Sequence, residues 1–456
     1  MKKVFIIGGA VIIVLIAIVI IISLVFKSPK KTETPKTSYP SENLTLTYWR
    51  IFDEKEALEP IIETYQKQHK NVTIKLVDKD SAEYETELIN ALAGGTGPDI
   101  FMIHSDWLPK HQDKLAPMPE DYLSVDEYQK TFAPVAAQDL ISDNRIWGIP
   151  FYIDTLALYY NNALVRKYNS SLNYQQLSRV IDNPPQNWNE FIDQTKKLTK
   201  KNGSYIIQAG AALGTANNVE TAADILALFM LQNNTKMVSE DQKTPTFNLP
   251  ITKDTGQSVY PGTSALEFYT SFARPNKETY SWNAKMPDST TVFIQGKTAM
   301  MINYAYKMPT IQNQAPDLDF KVVKLPQVKG VEKRTDFASY WPEVVAKNSK
   351  YPQVAWDFLK FATDDVWQMQ YCQVTKRISS KISSNSGLYV NQEYRAFGQQ
   401  VKTATSWYKD KTPDKIDQIF KDMISSVVNN NQPAQKAIDA AAESIKTLWR
   451  SGTNNK

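Results

Sequence analysis

Three runs rich in β-forming residues decide the fold near the start of the chain: LTLTYW (residues 44–49), VTIKLV (72–77) and PDIFMI (98–103). The two segments between them have apolar residues at helical spacing. This β-α-β-α-β order predicts an α/β fold with a parallel sheet. Ligands of such sheets bind beyond the carboxyl ends of the strands, so a site is expected in the residues that follow each run.

The composition is that of an ordinary globular protein, and it narrows the possible functions. Of the 456 residues, 42% are hydrophobic and 22% are charged, and the formal net charge is +4. This balance is typical of folded domains and argues against a dedicated nucleic-acid binder. A chain of this length is expected to divide into two hydrophobic cores.

Residues that carry common catalytic and metal chemistry are scarce. The single cysteine, Cys372, excludes an internal disulfide and a cysteine-rich zinc site, and only three histidines are present. Gly296-Lys297-Thr298 matches the end of a phosphate-binding loop, but Thr291 stands where that loop requires its first glycine. No cofactor or metal is therefore predicted, and no motif favours an enzyme. A pair of catalytic carboxylates has no fixed sequence spacing by which it could be recognised.

The N-terminal segment predicts a membrane anchor. Residues 4–26 are 23 residues without a charge, and about 20 apolar residues in a helix span a bilayer. We predict a cytoplasmic N-terminus over residues 1–3, a transmembrane helix over 4–26 and a flexible linker over 27–43. A long, cleaved signal peptide is the alternative. Lysines flank both ends of the apolar run, so the charge distribution leaves the orientation open.

Six strings, in order along the chain, carry a family resemblance. They are LTLTYW, ALAGGTGPDIFMI, WGIPFYIDTLALYYNNALV, PPQNWNEFIDQTKKL, FIQGKTAMMINYAYKMP and YWPEVVAKNSK. From about residue 44 to 450 the chain resembles the extracellular solute-binding proteins of ABC importers, of the family-one type that includes maltose- and other sugar-binding proteins. The N-terminus departs from the family pattern, since relatives usually carry a cleaved signal or a lipobox cysteine.

The resemblance implies an α/β, two-lobed clamshell of the type II periplasmic-binding-protein kind, which closes on its ligand by hinge motion. It assigns residues 44–150 and 288–335 to the first lobe, and residues 151–287 and 336–456 to the second. It also implies that the lobes are extracellular or periplasmic, so the predicted location is the cell membrane, with a single pass.

The resemblance also implies where the ligand binds. A sugar presents hydroxyl edges, which suit carboxylates and amides, and flat C–H faces, which suit aromatic rings. Residues of these types stand at the positions where family members contact ligand. The ligand-binding residues implied in this way are Asp53, Asp106, Trp107, Asp154, Asn217, Tyr306, Tyr340 and Trp341.

A structural role is the alternative for each of these residues. Asp53 and Asn217 both precede a predicted helix and could cap it. Asp154 lies where the chain enters the second lobe, and it could instead accept hydrogen bonds from the hinge backbone. Asp106 and Trp107 could pack within their own loop.

The function implied by the resemblance is capture of a small solute, a carbohydrate, and its delivery to the permease subunits of an ABC transporter by a monomer without a cofactor. Two other functions stay open. One is an exported polysaccharide hydrolase or lyase, in which Asp53 and Asp154 would perform acid–base chemistry. The other is a component that presents ligand to a sensor. The same aromatic and acidic residues would also suit a cation.

Overall fold

The computed structural model describes residues 40–52, 55–385, 392–408 and 411–453. The predicted N-terminus (1–3), the predicted anchor helix (4–26), most of the predicted linker (27–43) and Asp53 lie outside the described residues. None of the described helices is long and apolar enough to cross a lipid bilayer. The described helices and strands all belong to one compact unit that begins at Glu42.

Strands and helices alternate along most of the chain. The described strands are β1 (Leu44–Arg50), β2 (Val72–Asp78), β3 (Ile100–Met102), β4 (Leu115–Ala116), β5 (Ile141–Ser142), β6 (Arg145–Ile146), β7 (Asp154–Thr155), β8 (Ala157–Asn161), β9 (Lys200–Asn202), β10 (Tyr205–Ala211), β11 (Ile251–Thr252), β12 (Ser258–Val259), β13 (Thr298–Asn303), β14 (Phe320–Val323), β15 (Asp336–Ser339), β16 (Glu343–Ala346) and β17 (Ala404–Thr405). The described α-helices are α1 (Lys55–Gln68), α2 (Tyr84–Ala93), α3 (Leu108–His111), α4 (Val125–Thr131), α5 (Pro134–Leu140), α6 (Asn162–Ser170), α7 (Trp188–Leu198), α8 (Ala222–Gln232), α9 (Pro261–Ser271), α10 (Ser289–Ile294), α11 (Met308–Gln314), α12 (Pro352–Ala362), α13 (Asp365–Thr375), α14 (Arg395–Gln400), α15 (Pro413–Val428) and α16 (Ala434–Thr453).

The first five-stranded sheet has the order β2-β1-β3-β16-β4. β1 runs parallel to both β2 and β3, with Tyr48 opposite Ile100, which confirms the predicted parallel start. The central strand β3 is buried along its whole length, as expected for a strand covered on both faces. Because β1 and β3 are parallel neighbours, the residues after them, including Phe52 and Asp106, meet at one edge of the sheet.

The second five-stranded sheet has the order β14-β8-β13-β10-β9. β13 pairs with β8 in antiparallel register and with β10 in parallel register, so the sheet is mixed. Each sheet has its own hydrophobic core. The core of the first sheet includes Phe101 and Val344, and that of the second includes Leu158, Leu226 and Met300. Each sheet with its helices is called a lobe below.

The strand pairing corrects the predicted lobe boundaries. Residues 288–335 were assigned to the first lobe, but β13 and β14 pair with β8 and belong to the second. Residues from 336 onward were assigned to the second lobe, but β16 pairs with β3 and belongs to the first. Trp356 of α12 also donates to the carbonyl oxygen of Ala116 in the first lobe. A β-rich run does not encode which sheet it will join, which is why the boundaries were wrong.

A small sheet of order β17-β15-β7 lies where the chain passes between the lobes. Ser339 pairs with Asp154 there, so the first two passages run side by side. Lys381 pairs with Phe132 of the first lobe, and Gln400 donates to the carbonyl oxygen of Leu156 in the second. The chain therefore passes between the lobes a third time between residues 381 and 400. We call this small sheet the hinge sheet.

Candidate functional site

A cavity of about 730 Å³ lies between the lobes, directly after the carboxyl end of β1. One wall is formed by the first turn of α1 and the end of α13, and the other by residues that follow β13. Ligands of α/β folds bind in this kind of position. The lining residues are Phe52, Lys55, Glu56, Ala57, Glu59, Tyr152, Ile153, Asp154, Ala305, Tyr306, Pro309, Val374, Thr375, Lys376, Arg377, Ile378 and Tyr394.

Trp341 is the centre of an aromatic cluster on the first lobe. Its ring lies edge-on to Phe52, His104 and Trp107, at centroid distances of 5.8, 5.2 and 5.0 Å. Trp341 precedes β16 and Trp107 follows β3, and these strands are hydrogen-bonded neighbours. Trp107 and Trp341 are half-buried, so each keeps ring surface that a ligand can reach.

Asp106 forms an ion pair with His104 beside this aromatic cluster. His104 Nδ1 contacts Asp106 Oδ1, and His104 Nε2 lies 2.8 Å from the hydroxyl oxygen of Ser339 in the hinge sheet. Burial lowers the pKa of His104, but the negative charges of Asp106, Asp224 and Asp139 together outweigh burial, so the pKa lies above its ordinary value. The pair therefore offers charged hydrogen-bonding groups next to rings, as recognition of a hydroxylated ligand requires.

Asp154 is buried, and its carboxylate holds the second-lobe wall in place. Its two oxygens accept hydrogen bonds from the backbone amides of Ala305 and Tyr306, at 2.7 and 3.1 Å. Burial raises the pKa of Asp154 to about 6, and the positive charge of Arg377 and the amide donors limit that rise. The alternative role, binding of backbone near the hinge, is the one that these contacts support. Acid–base chemistry by Asp154 is disfavoured, because two fixed amides occupy its oxygens.

Tyr306 presents the most accessible ring of the second-lobe wall. The residue is 43% exposed, and its hydroxyl donates to Glu220 Oε1 at 3.2 Å. Lys307 Nζ lies 2.5 Å from the same oxygen and 5.0 Å from the centre of the Tyr306 ring. Burial raises the pKa of Glu220, but the contacts with Lys307, Asn303 and Thr290 outweigh burial and leave it lowered. Glu220 is therefore a carboxylate held beside an exposed ring.

A second carboxylate lies behind this ring. The ring of Tyr304 is stacked on that of Tyr306 at a centroid distance of 6.1 Å, and its hydroxyl donates to Asp224 Oδ2 at 2.7 Å. Burial raises the pKa of Asp224 to about 6; the hydrogen bond from Tyr304 opposes this, as does attraction to His104 of the other lobe. The second lobe thus has an aromatic and acidic surface, like the first.

Of the predicted ligand-binding residues that the structure describes, only Asp154 and Tyr306 line the cavity. Trp341 contacts the lining residue Phe52, and Trp107 and Asp106 lie in the cluster around Trp341.

For Tyr340 and Asn217 the surroundings favour a structural role. Tyr340 is 1% exposed, and its hydroxyl donates to Asp139 Oδ2 at 2.9 Å, so its ring packs inside the first lobe instead of facing a ligand. Asn217 is exposed and is not among the residues that line the cavity. Its neighbour Asn218 instead donates to the carbonyl oxygens of Asn283 and Met286.

Sequence reasoning missed two residues that line the cavity, Phe52 and Arg377, and two that contact the lining residue Tyr306, Glu220 and Lys307. Phe52 and Lys307 are adjacent to the predicted Asp53 and Tyr306, so a wider window around each strand end would have included them. Glu220 and Arg377 follow no strand, and nothing in their local sequence marks them. Among the residues that the structure describes, no group of three or more His, Cys, Asp or Glu side chains is placed to hold a metal ion.

Two α/β lobes joined by three chain passages, with an aromatic and acidic cleft between them, define a two-lobed solute-binding protein. Residues 52–369 match the family model described as bacterial extracellular solute-binding protein, and the chain belongs to that family. The family consists of binding proteins, which confirms the expectation that the chain is not an enzyme. It also confirms the resemblance carried by the six strings.

Individual relatives are distant but cover long stretches. A Brucella abortus protein described as a binding protein is 24% identical over 297 residues, which span 63% of this chain and 63% of that protein. The chain therefore spans less than two thirds of that relative's length. The galactooligosaccharide-binding protein of Bacillus subtilis is 19% identical over 93% of this chain and 94% of its own.

Solved structures show the same fold. The sugar-binding protein MalE of Xanthomonas citri superposes with a TM-score of 0.74 at 17% identity, over 91% of this chain and all of that chain. A Thermotoga lettingae ABC transporter solute-binding protein, bound to α-D-tagatose, superposes with a TM-score of 0.67 at 20% identity, over 89% and 99% of the two chains. These matches agree with the predicted type II, two-lobed α/β fold.

Proposed function

We propose that the chain is the substrate-binding protein of an ABC importer, that it binds a saccharide between its lobes, and that it delivers this ligand to permease subunits. The observation that carries the proposal is the composition of the cleft. Each wall has an accessible ring and a carboxylate, Phe52 with Glu56 on the first lobe and Tyr306 with Glu220 on the second. Saccharides combine C–H faces, which pack on rings, with hydroxyl groups, which donate to carboxylates. The named relatives include proteins that bind galactooligosaccharide and tagatose, which supports this ligand class.

Four of the residues implied by the resemblance have the surroundings that this function requires. Trp341 and Trp107 supply rings on the first lobe, Asp106 supplies a carboxylate beside them, and Tyr306 supplies the facing ring on the second lobe. Asp53 follows the exposed Phe52, and we retain it as a ligand contact on sequence position alone. The proposal assigns Asp154 to positioning of Tyr306 through its backbone amide.

Closure of the lobes is the step that would retain the ligand. One charged contact already joins the lobes at the rim: Lys110 Nζ lies 3.4 Å from Asp414 Oδ2, while it also contacts Glu85 at 2.6 Å. A contact of this kind between partly exposed groups is worth at most about 1 kcal/mol. It therefore favours the closed arrangement without preventing release, which an importer requires.

The apolar segment over residues 4–26 is proposed to tether the lobes to the membrane, with the folded part outside the cell or in the periplasm. Its 23 uncharged residues support this assignment. A tethered monomer would stay close to its permease, and the polar linker over residues 27–43 would allow the lobes to reach it.

The test is calorimetric titration of the full-length chain in lipid nanodiscs. The panel contains mono- and oligosaccharides, with polyamines, amino acids and phosphate compounds as other classes. We expect saturable binding of one saccharide class and no release of a cleaved product. Binding of a polyamine and of no saccharide would refute the saccharide assignment and identify a cationic ligand. Turnover of a glycan would refute a pure binding function.

A further inference from the structure

Phe52 has a backbone conformation that is unfavourable for its residue type. Its φ angle is +78°, a region that L-residues with a side chain avoid and that glycine adopts freely. A non-glycine residue in such a conformation persists where the surroundings hold it, and residues of this kind concentrate at ligand sites. The two preceding residues, Arg50 and Ile51, are fully buried, so the chain turns outward at Phe52.

Packing alone does not account for the side chain at this position. The residue is 43% exposed, although it is a large apolar residue. Its ring contacts Trp341 edge-on at 5.8 Å, and the guanidinium carbon of Arg377 lies 5.5 Å from its centre. These contacts fix the direction of the ring, but they leave a large part of it open toward the cavity.

Phe52 and Tyr306 line the same cavity from opposite lobes. Tyr306 is also 43% exposed, and its ring is fixed by Tyr304 and Glu220. Two accessible rings therefore line one cavity from opposite lobes, and both can offer apolar surface to the same ligand. A pyranose ring is a flat body with C–H groups on its faces, and these faces suit such a surface.

We propose that Phe52 is a specificity-determining residue, which packs on the C–H face of one sugar ring while Tyr306 contacts the same ligand from the second lobe. The proposal rests on the proposed saccharide-binding function and deepens it. It selects saccharides in which at least one pyranose ring presents an uninterrupted C–H face. The unfavourable backbone at residue 52 is retained because it directs the ring into the cleft.

The experiment compares Phe52→Ala, Phe52→Gly and Phe52→Trp with the wild type, as full-length chains in lipid nanodiscs. Calorimetry with the saccharide that the wild type binds gives the affinities, and thermal unfolding gives the stabilities. Tyr174→Ala is the matched control, because Tyr174 is 88% exposed and does not line the cavity.

We expect Phe52→Ala and Phe52→Gly to weaken binding by about tenfold, the effect of losing one well-packed aromatic contact. Phe52→Trp keeps an aromatic ring and should bind more tightly than Phe52→Ala. Tyr174→Ala should bind within about threefold of the wild type, a difference well under 1.4 kcal/mol. Phe52→Gly should unfold at a higher temperature than Phe52→Ala, because glycine relieves the backbone strain. If Phe52→Gly binds as weakly as Phe52→Ala although it is more stable, the weaker binding results from loss of the ring and not from loss of the fold.

Failure of this inference differs from failure of the proposed function. If the wild type binds a saccharide and both truncated variants bind it equally well, Phe52 does not contact the ligand and the inference is wrong. If the wild type binds no saccharide, the proposed function is wrong, and the assignment of Phe52 to sugar recognition is overturned with it.

Discussion

Glu343→Gln is expected to destabilise the first lobe by about 3–5 kcal/mol, the cost of leaving a buried charge without its partner. The side chains of Arg50 and Glu343 are 1% and 0% exposed and form an ion pair inside this lobe. Tyr48 donates to Glu343 Oε1 at 3.1 Å, and Arg50 Nη2 donates to Tyr371 at 2.9 Å. The substitution removes the negative charge of the side chain and keeps its size. The loss of stability therefore measures the electrostatic contribution and not the creation of a cavity.

The pair matters for the cleft because of its place in the chain. Arg50 lies two residues before Phe52, and Glu343 lies two residues after Trp341. The double variant Arg50→Met, Glu343→Leu replaces both charges by apolar groups and is expected to recover most of the lost stability, since a buried ion pair is often no better than well-packed apolar residues.

Urea unfolding followed by tryptophan fluorescence measures the free energy of unfolding of each variant, and amide hydrogen exchange in β1 reports the first lobe specifically. A loss below about 1 kcal/mol for Glu343→Gln would show that the charge of Arg50 is satisfied without the carboxylate. A double variant that is less stable than Glu343→Gln would show that the pair itself provides net stability. Either result would refute the reasoning.

Three further predictions follow from single contacts. Tyr340→Phe should lower the free energy of unfolding in urea by about 1–2 kcal/mol, because it removes a hydrogen bond within the first lobe, and it should leave ligand affinity unchanged. Weaker binding would show that Tyr340 contacts the ligand. The pKa of Asp154 is raised from 3.8 to about 6 in the folded state, so the folded state binds this proton more tightly and stability should fall as the pH rises from 4 to 6. The wild type should lose about 2 kcal/mol more than Asp154→Asn over that range. The same dependence of stability on pH in both proteins would contradict the raised pKa of Asp154. Lys110→Ala should raise the dissociation constant about two- to fivefold, and the difference should vanish at 1 M salt, since the contact with Asp414 is partly exposed; a salt-independent effect would exclude an ionic cause.

The local sequence pattern predicted the first strands correctly, but it did not predict which strands pair in each sheet. The β-rich runs at 44–49, 72–77 and 98–103 became β1, β2 and β3, because alternation and β-branched residues act within a few positions. The division into lobes was partly wrong, because hydrogen-bonded partners such as β16 and β3 are distant in sequence. Contacts of this kind are decided by packing in the folded chain and leave no local signal.

The candidate site was predicted only where it follows a strand. Trp107 and Tyr306 come directly after such runs. Tyr306 lines the cavity, and Trp107 contacts Trp341, whose ring contacts the lining residue Phe52. Arg377 follows helix α13, and its proximity to Phe52 depends on how α13 packs on the first lobe. Tyr340 lies where the chain passes between the lobes, and an aromatic residue there can face either the cleft or the core. Its hydroxyl donates to Asp139, and this contact holds the ring in the core of the first lobe.

The position of β16 in the first sheet has a consequence for synthesis. β3 ends at Met102 and its neighbour β16 begins at Glu343, with the whole second sheet encoded between them. At a ribosomal rate of roughly 5–20 residues per second, roughly 10–50 seconds separate the emergence of these two strands. All strands of the second sheet are synthesised before β16, and during this time the edge of β3 that later pairs with β16 is unpaired. A nascent chain of this protein is therefore expected to need protection at that edge, by a chaperone or by export in an unfolded state.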